Sequence, residues 1–307
     1  MPHKLSVIVF PGGANLPLWT GIKHGFFAQR DLDVEPVYTR SSVEQVTALV
    51  EGKCELGLTG FDNIVAYREG QGEAKLDREP DLFAFMGGDN AFLRLVVRPE
   101  IKSYADLKGK TLAVDAMTTG FAFVLRKMLA LNGVSESDVT FERAGGAVQR
   151  YDGLKEGKFA GTLLLTPFEL TGRAAGLHVL QSASDVLTHY QGIVGVASHA
   201  WAKSNAATLG KFIEGYREAL AWLYRPGNRQ AACDLLIANV PHMTAELAAA
   251  TCDIFLADEN GFEPAARLDD EGMQTVLALR SEFGVPRKDL TQYRKYVDST
   301  YAQGKTS

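Results

Sequence analysis

The chain has 307 residues, with 32 Lys+Arg against 37 Asp+Glu, a net charge of −5 and 46% hydrophobic residues, which is ordinary globular composition with length for two lobes. The acidic balance, without a Lys/Arg block, argues against a nucleic-acid surface or a polybasic membrane patch. Cys54, Cys233 and Cys252 show no metal spacing, and their odd number prevents full pairing, which excludes a disulfide scaffold and a Cys-rich metal centre.

The apolar run Leu5–Phe10 opens the chain as a strand, too short to span a bilayer. A secretory pattern of basic, apolar and small-residue regions is missing, so the expectation is a cytoplasmic protein or a mature form whose signal was replaced by Met1. The loop Pro11–Asn15 leads into a predicted helix over Leu16–Gln29. A strand Val34–Tyr38 follows, then a helix Val43–Glu51, a strand Leu56–Thr59, a loop over residues 60–63 and a helix Ile64–Glu69. Asp81–Met86 and Leu93–Arg98 read as further strands.

A shift of 105 positions lays Leu5–Asn63 over Lys110–Phe168 without a gap. Strand Ser6–Phe10 falls on Thr111–Asp115, Gly13-Ala14-Asn15 on Thr118-Thr119-Gly120, and Glu51-Gly52-Lys53 on Glu156-Gly157-Lys158. Two unrelated β-α-β-α-β units with shared loop lengths would give the same overlay; two lobes built from one unit is the reading preferred here. From Trp201 onward helical periodicity takes over, in Leu209–Leu223, Gln230–Asn239, Ala245–Phe255, Asp269–Phe283 and Leu290–Tyr301. This tail is expected to pack on one lobe. Lobe one is then 1–90 plus about 200–307 and lobe two 91–199, with crossings near Gly87–Phe92 and Tyr190–His199.

Ligands of open α/β sheets bind beyond the carboxyl ends of the strands, beside helix starts whose N–H groups lack partners. The candidate contacts there are Gly13, Asn15, Arg40, Ser41, Phe61 and Asp62 in lobe one, and Thr118, Thr119, Gly120, Gly146 and Thr166 in lobe two. Thr118, Thr119 and Ser41 offer hydroxyl groups, and Gly13, Gly120 and Gly146 admit close backbone approach to an anionic group. Trp19 and Phe61 would supply apolar walls. Plain structural duties compete with each: helix capping for Thr118 and Ser41, tight turns for the glycines, core packing for Trp19, and solvated surface charge for Arg40, Arg143 and Arg150.

Nucleotide, serine-hydrolase and zinc-protease signatures are missing, and the six histidines are scattered, so neither a metal nor a cofactor is expected. Cys54 stands where Phe159 does in the second copy, and Cys233 and Cys252 lie on helical faces among small apolar residues.

The run Gly21-Ile22-Lys23-His24-Gly25-Phe26-Phe27 with Leu32-Asp33-Val34 resembles the opening of NMT1/THI5-like and sulfonate/taurine-type substrate-binding proteins of ABC transporters. Tyr104–Val114 resembles the segment that opens their second lobe, and Glu51–Gly57 another of their stretches, with Glu55 where Asp is usual. The resemblance spans about residues 4–225. It implies the α/β type II periplasmic-binding fold, two lobes closing on a small organic ligand (anionic or aromatic), a membrane permease as partner, a monomer and a periplasmic location. The same superfamily holds enzymes, so a cytoplasmic lyase, decarboxylase or pyrimidine-pathway enzyme with Asp62 or His24 as acid/base is the alternative; a ligand sensor docking a signalling partner through the helical tail is a third. Two departures weigh against the enzymes: the chain lacks the Cys-rich run of the pyrimidine synthase, and residues 10–15 hold no cysteine where the desulfinase places one.

Overall fold

The computed structural model describes residues 2–303. The first lobe begins β1 (His3–Val9), α1 (Leu16–Lys23), β2 (Leu32–Tyr38), α2 (Ser42–Val50), β3 (Leu56–Gly60), α3 (Phe61–Arg68) and β4 (Leu82–Gly87). The second continues β5 (Leu93–Val97), β6 (Thr111–Val114), α4 (Gly120–Leu131), β7 (Thr140–Arg143), α5 (Ala147–Lys155), β8 (Gly161–Leu165), α6 (Phe168–Ala174) and β9 (His178–Ser182). The chain ends with β10 (Ile193–Ser198), α7 (His199–Ser204), α8 (Ala206–Leu223), α9 (Arg229–Asn239), α10 (Ala245–Phe255) and α11 (Asp270–Phe283).

Two five-stranded sheets result, ordered β2-β1-β3-β10-β4 and β7-β6-β8-β5-β9. In each the first three strands run parallel, and the fourth in the order is antiparallel to both neighbours. Shifting by 105 carries α2 onto α5 and β3 onto β8 residue for residue, and the two sheet orders correspond strand by strand. In each lobe the antiparallel strand comes from chain that has just crossed over: β5 follows β4, and β10 follows β9. Strand β10 therefore lies in the first sheet, paired with β3 and β4, although residues 193–198 were expected in the second lobe. The boundary near 199 moves to the segment before Ile193, because a strand belongs to the sheet that satisfies its backbone.

The two crossings are tied together. Asp89 Oδ1 accepts hydrogen bonds from Ala91 N–H (2.7 Å) and, across the sequence, from Ile193 N–H (3.0 Å), while Asp89 C=O accepts from Gly192 N–H (2.9 Å). Burial pushes the Asp89 carboxyl up to about 6, against the pull of those two N–H groups. Ala91 and Phe92 stand at φ 71° and 48°, so the turn into β5 holds two consecutive left-handed non-glycine residues.

Most of the helical tail behaves as its periodicity predicts, with two corrections. Leu290–Tyr301 is no α-helix: it holds only a short 3-10 turn at Tyr293–Tyr296 and the start of another at Thr300. Nor does the tail sit on one lobe. Helices α8 and α9 pack on α1, but α10 reaches α6 of the second lobe, and α11 lies against both α3 and α4. Among the described residues no helix is long and apolar enough to cross a membrane.

Candidate functional site

The carboxyl ends of the parallel strands of both sheets face one cavity of about 250 Å³. Lobe one brings Phe10 to Gly12, Ala14 and Asn15 after β1, Thr39 and Arg40 after β2, and Gly60 with Asp62 and Asn63 at the end of β3. Lobe two brings Asp115 after β6, Thr119 to Phe121 at the start of α4, Gly146 to Arg150 at the start of α5, and Leu165, Thr166 and Phe168 after β8. The aromatic walls are Phe10, Phe121 and Phe168, with Pro11, Val148 and Ile193 beside them.

Main chain and polar side chains close the cleft at several points. Asp62 Oδ2 accepts from Gly120 N–H (2.6 Å), and a Cβ on Gly120 would sit 2.4 Å from Asp62 Cγ, so only glycine lets α4 approach this closely. Gly13 approaches Pro167 of the other lobe and the ring of Phe255, where a Cβ would meet atoms at 3.2 and 3.0 Å. Glu73, in the loop after α3, accepts from Thr118 N–H (3.1 Å) and pairs with Arg143.

Of the expected contacts, Asn15, Arg40, Asp62, Thr119, Gly120, Gly146 and Thr166 line this cavity. Each has a definite setting. Asn15 Nδ2 donates to the carbonyls of Phe10 (2.7 Å) and Gly12 (3.1 Å), shaping the first loop. Thr119 Oγ1 donates to Asp115 Oδ1 (2.6 Å) and caps α4 by accepting from Ala122 N–H. Thr166 Oγ1 donates to the buried Glu169 (2.6 Å). Helix α5 starts at Ala147, and Gly146 before it brings no side-chain cap, so its first turn meets the cavity with unspent N–H capacity.

The remaining expectations are corrected. Trp19 is 5% exposed in the core of lobe one, its Nε1 donating to the Tyr38 hydroxyl (3.1 Å). Phe61 is wholly buried against Tyr296, because α3 begins at residue 61 and the first turn rotates the ring inward. Ser41 caps α2 by accepting from Glu44 N–H (3.1 Å). Thr118 contributes its main chain, to Glu73 and to Arg280, and Gly13 serves lobe approach rather than lining.

The two acid/base candidates are occupied elsewhere. His24 packs its ring 4.1 Å from that of Trp222, between helix α1 and the tail. Asp62 is held by Arg280, with Nε to Oδ1 at 2.6 Å and Nη2 to Oδ2 at 2.9 Å. Arg280 is fully buried, also donating to Gln71 Oε1 (3.1 Å) and Thr118 C=O, with its guanidinium 4.9 Å over the Phe123 ring. This ion pair joins α3, α4 and α11 at the back of the cleft.

Sequence reasoning missed Phe10, Asp115, Phe121 and Gln149, placed Thr39, Asn63 and Phe168 in the strand-end loops without choosing them as contacts, and treated Arg150 as surface charge. Arg150 is buried, donating to Leu163 C=O, Gly145 C=O (3.1 Å) and Thr162 Oγ1 (3.2 Å). The internal repeat carried the signal: 105 positions earlier, Gln45 Nε2 donates to Leu58 C=O (2.9 Å), the counterpart of Leu163. Burial raises the Asp115 carboxyl above its ordinary range, and the charge of Arg150 and the Thr119 hydroxyl offset this only in part. Burial likewise raises Glu169, against the Thr166 hydrogen bond.

The family model described as NMT1/THI5 like matches residues 14–228. No curated protein sequence matches the chain. Solved structures do. The alkanesulfonate-binding protein SsuA from Xanthomonas axonopodis pv. citri, bound to MOPS, is 18% identical with TM-score 0.77, covering 97% of this chain and 98% of its own. The periplasmic nitrate-binding protein NrtA from Synechocystis PCC 6803 is 13% identical with TM-score 0.81, covering 98% and 88%. The ligand-binding component of an ABC-type import system from Staphylococcus aureus, with zinc bound, is 11% identical with TM-score 0.78, covering 98% of each chain. With the matched segment covering most of its length, and two mirrored sheets enclosing a cleft at their strand ends, the chain belongs to the NMT1/THI5-like family and has the two-lobed periplasmic-binding-protein fold.

Proposed function

We propose that this protein is the solute-binding component of an ABC-type importer, closing its lobes on a small organic ligand and presenting it to a membrane permease, as a monomer in the periplasm. The observation that carries the reading is the 250 Å³ cavity walled by both lobes and framed by their strand ends. Its lining combines three aromatic rings with a few convergent polar groups, which suits capture and orientation of a ligand with an apolar body and one polar end. Asn15, Arg40, Thr119, Thr166 and the first turn of α5 are the groups we assign to that polar end. We assign residues up to about 90 and from about 193 to lobe one, and the span between to lobe two.

The enzyme reading finds no support at its own candidates. Both oxygens of Asp62 are engaged by Arg280, and His24 lies under Trp222. Electrospray mass spectrometry of the folded protein, followed by calorimetry with alkanesulfonates, aromatic carboxylates and pyrimidines, tests the proposal. The expected result is stoichiometric binding of one class without turnover, weakened about tenfold or more by Thr119→Val, which removes the hydroxyl from the cavity wall. Chemical conversion of a bound compound, or binding indifferent to Thr119→Val and Phe121→Ala together, overturns it.

A further inference from the structure

Cys233 on α9 and Cys252 on α10 face each other with Sγ atoms 3.4 Å apart, both buried in one apolar cluster with Ala232, Leu236, Ala248 and Phe255. The third cysteine, Cys54, is buried in a different cluster on the approach to β3. The two helices are antiparallel neighbours joined by the short segment 240–244, and Arg229 seals the same seam by pairing with Asp253 (2.7 Å) and donating to Ala249 C=O (3.0 Å). A disulfide needs its sulfurs at about 2.05 Å, so the two sulfurs, now 3.4 Å apart, must close on each other between helices already in contact.

We propose that Cys233 and Cys252 form an intramolecular disulfide when the chain folds in the presence of a disulfide donor. One thiolate attacks a sulfur of the donor, giving a mixed disulfide and releasing one donor thiol. The second cysteine displaces the other half. Two cysteine thiols lose two electrons to the donor disulfide, and their two protons leave on the two donor thiols. Once the helices have packed, burial pushes the Cys252 thiol up to about 12, which leaves little thiolate, so the exchange belongs to the folding chain rather than to the finished protein.

The bond would brace more than one seam. One turn beyond Cys252, Phe255 packs at a tilt against Phe92 at the first crossing (ring centroids 4.8 Å apart) and abuts Gly13 of the cleft loop. Fixing α10 to α9 therefore steadies the platform from which the cleft closes. The pair is independent of the ligand, and its test stands apart from that of the solute-binding reading.

The experiment is refolding of the full chain from the reduced, denatured state, with reduced and oxidised glutathione in one arm and dithiothreitol in the other. Thiol titration in denaturant is expected to fall from three to one in the glutathione arm. Both cysteines lie in one tryptic peptide, Gln230–Arg267, which is expected to appear about 2 Da lighter without any partner peptide. Closing this 20-residue loop is expected to raise Tm by about 5 °C over the reduced form, a shift abolished by Cys233→Ser and kept by Cys54→Ala. Three titratable thiols with an unchanged peptide mass, thiol loss that persists in Cys233→Ser, or a lower Tm on oxidation overturns the proposal.

Discussion

Replacing Arg280 by Met tests how the two lobes are joined at the back of the cleft. The substitution keeps most of the side chain's bulk and its packing over Phe123, but removes a guanidinium that makes two short hydrogen bonds to Asp62 and two more to Gln71 and Thr118. Asp62, 3% exposed, is then left with Gly120 N–H as its remaining partner. Breaking a buried pair from one side strands the other charge and costs about 3–5 kcal/mol, a large part of the 5–15 kcal/mol typical of a folded chain. Removing both charges, as Arg280→Met with Asp62→Leu, is expected to recover at least half of that loss, since no ion remains to be desolvated. Urea unfolding followed in parallel by tryptophan fluorescence and far-ultraviolet circular dichroism gives both values. A cost under 1 kcal/mol for Arg280→Met, or a double variant no better than the sum of its singles, would show that the pair is not what unites α3, α4 and α11.

Other expectations are equally concrete. Asp89 is raised from 3.8 to about 6, so between those values the folded state holds a proton that the unfolded chain has lost; stability falls by about 3 kcal/mol as pH rises through that window, and Asp89→Asn flattens the decline in urea titrations. Glu69 slopes the other way: burial alone would raise it, but hydrogen bonds from Lys295, Lys288 and Tyr296 hold it at about 2, so its contribution disappears only as pH drops below about 4.5, and Glu69→Gln removes that acid-side loss. Gly120→Ala pushes a methyl into Asp62, and small-angle scattering is expected to report a larger radius of gyration, with ligand affinity reduced at least tenfold; an unchanged radius would refute the closure role. Trp19→Phe loses one hydrogen bond to Tyr38, worth about 1 kcal/mol in unfolding, and leaves ligand affinity untouched because the ring lies outside the cleft.

Local pattern carried much of this architecture. The match between residues 42–60 and 147–165 preserves both a helix and the strand after it, because the same alternation of apolar run and amphipathic stretch builds each half. The strand-end loops were legible for the same reason, and seven of the expected contacts line the cavity. What sequence did not reveal is non-local. Asp62 meets Arg280 across 218 positions, and no period or spacing links an arginine on an amphipathic tail helix to a residue in a strand-end loop. Phe61 and Trp19 looked like pocket walls because an aromatic near a loop carries no sign of which way it turns; α3 starts three residues earlier than its apolar spacing suggests, and that first turn carries Phe61 into the core. Leu290–Tyr301 has apolar spacing and packs Leu290, Tyr293, Tyr296 and Val297 on the core, yet it does so without an α-helix, with Tyr296 buried within a single 3-10 turn.

The insertion of β10 between β3 and β4 dictates the order in which a growing polypeptide can be completed. Strand β4, Leu82–Gly87, is buried along its whole length, and among the described residues the strand it pairs with is β10, which is not made until another hundred or so residues have been added. A nascent chain that has just emerged to residue 190 already holds the described strands of its later half, while its earlier half still carries an apolar ribbon with no strand paired to it. The portion synthesised first is therefore the last to be finished, and it is this portion that would need shielding from self-association on the ribosome.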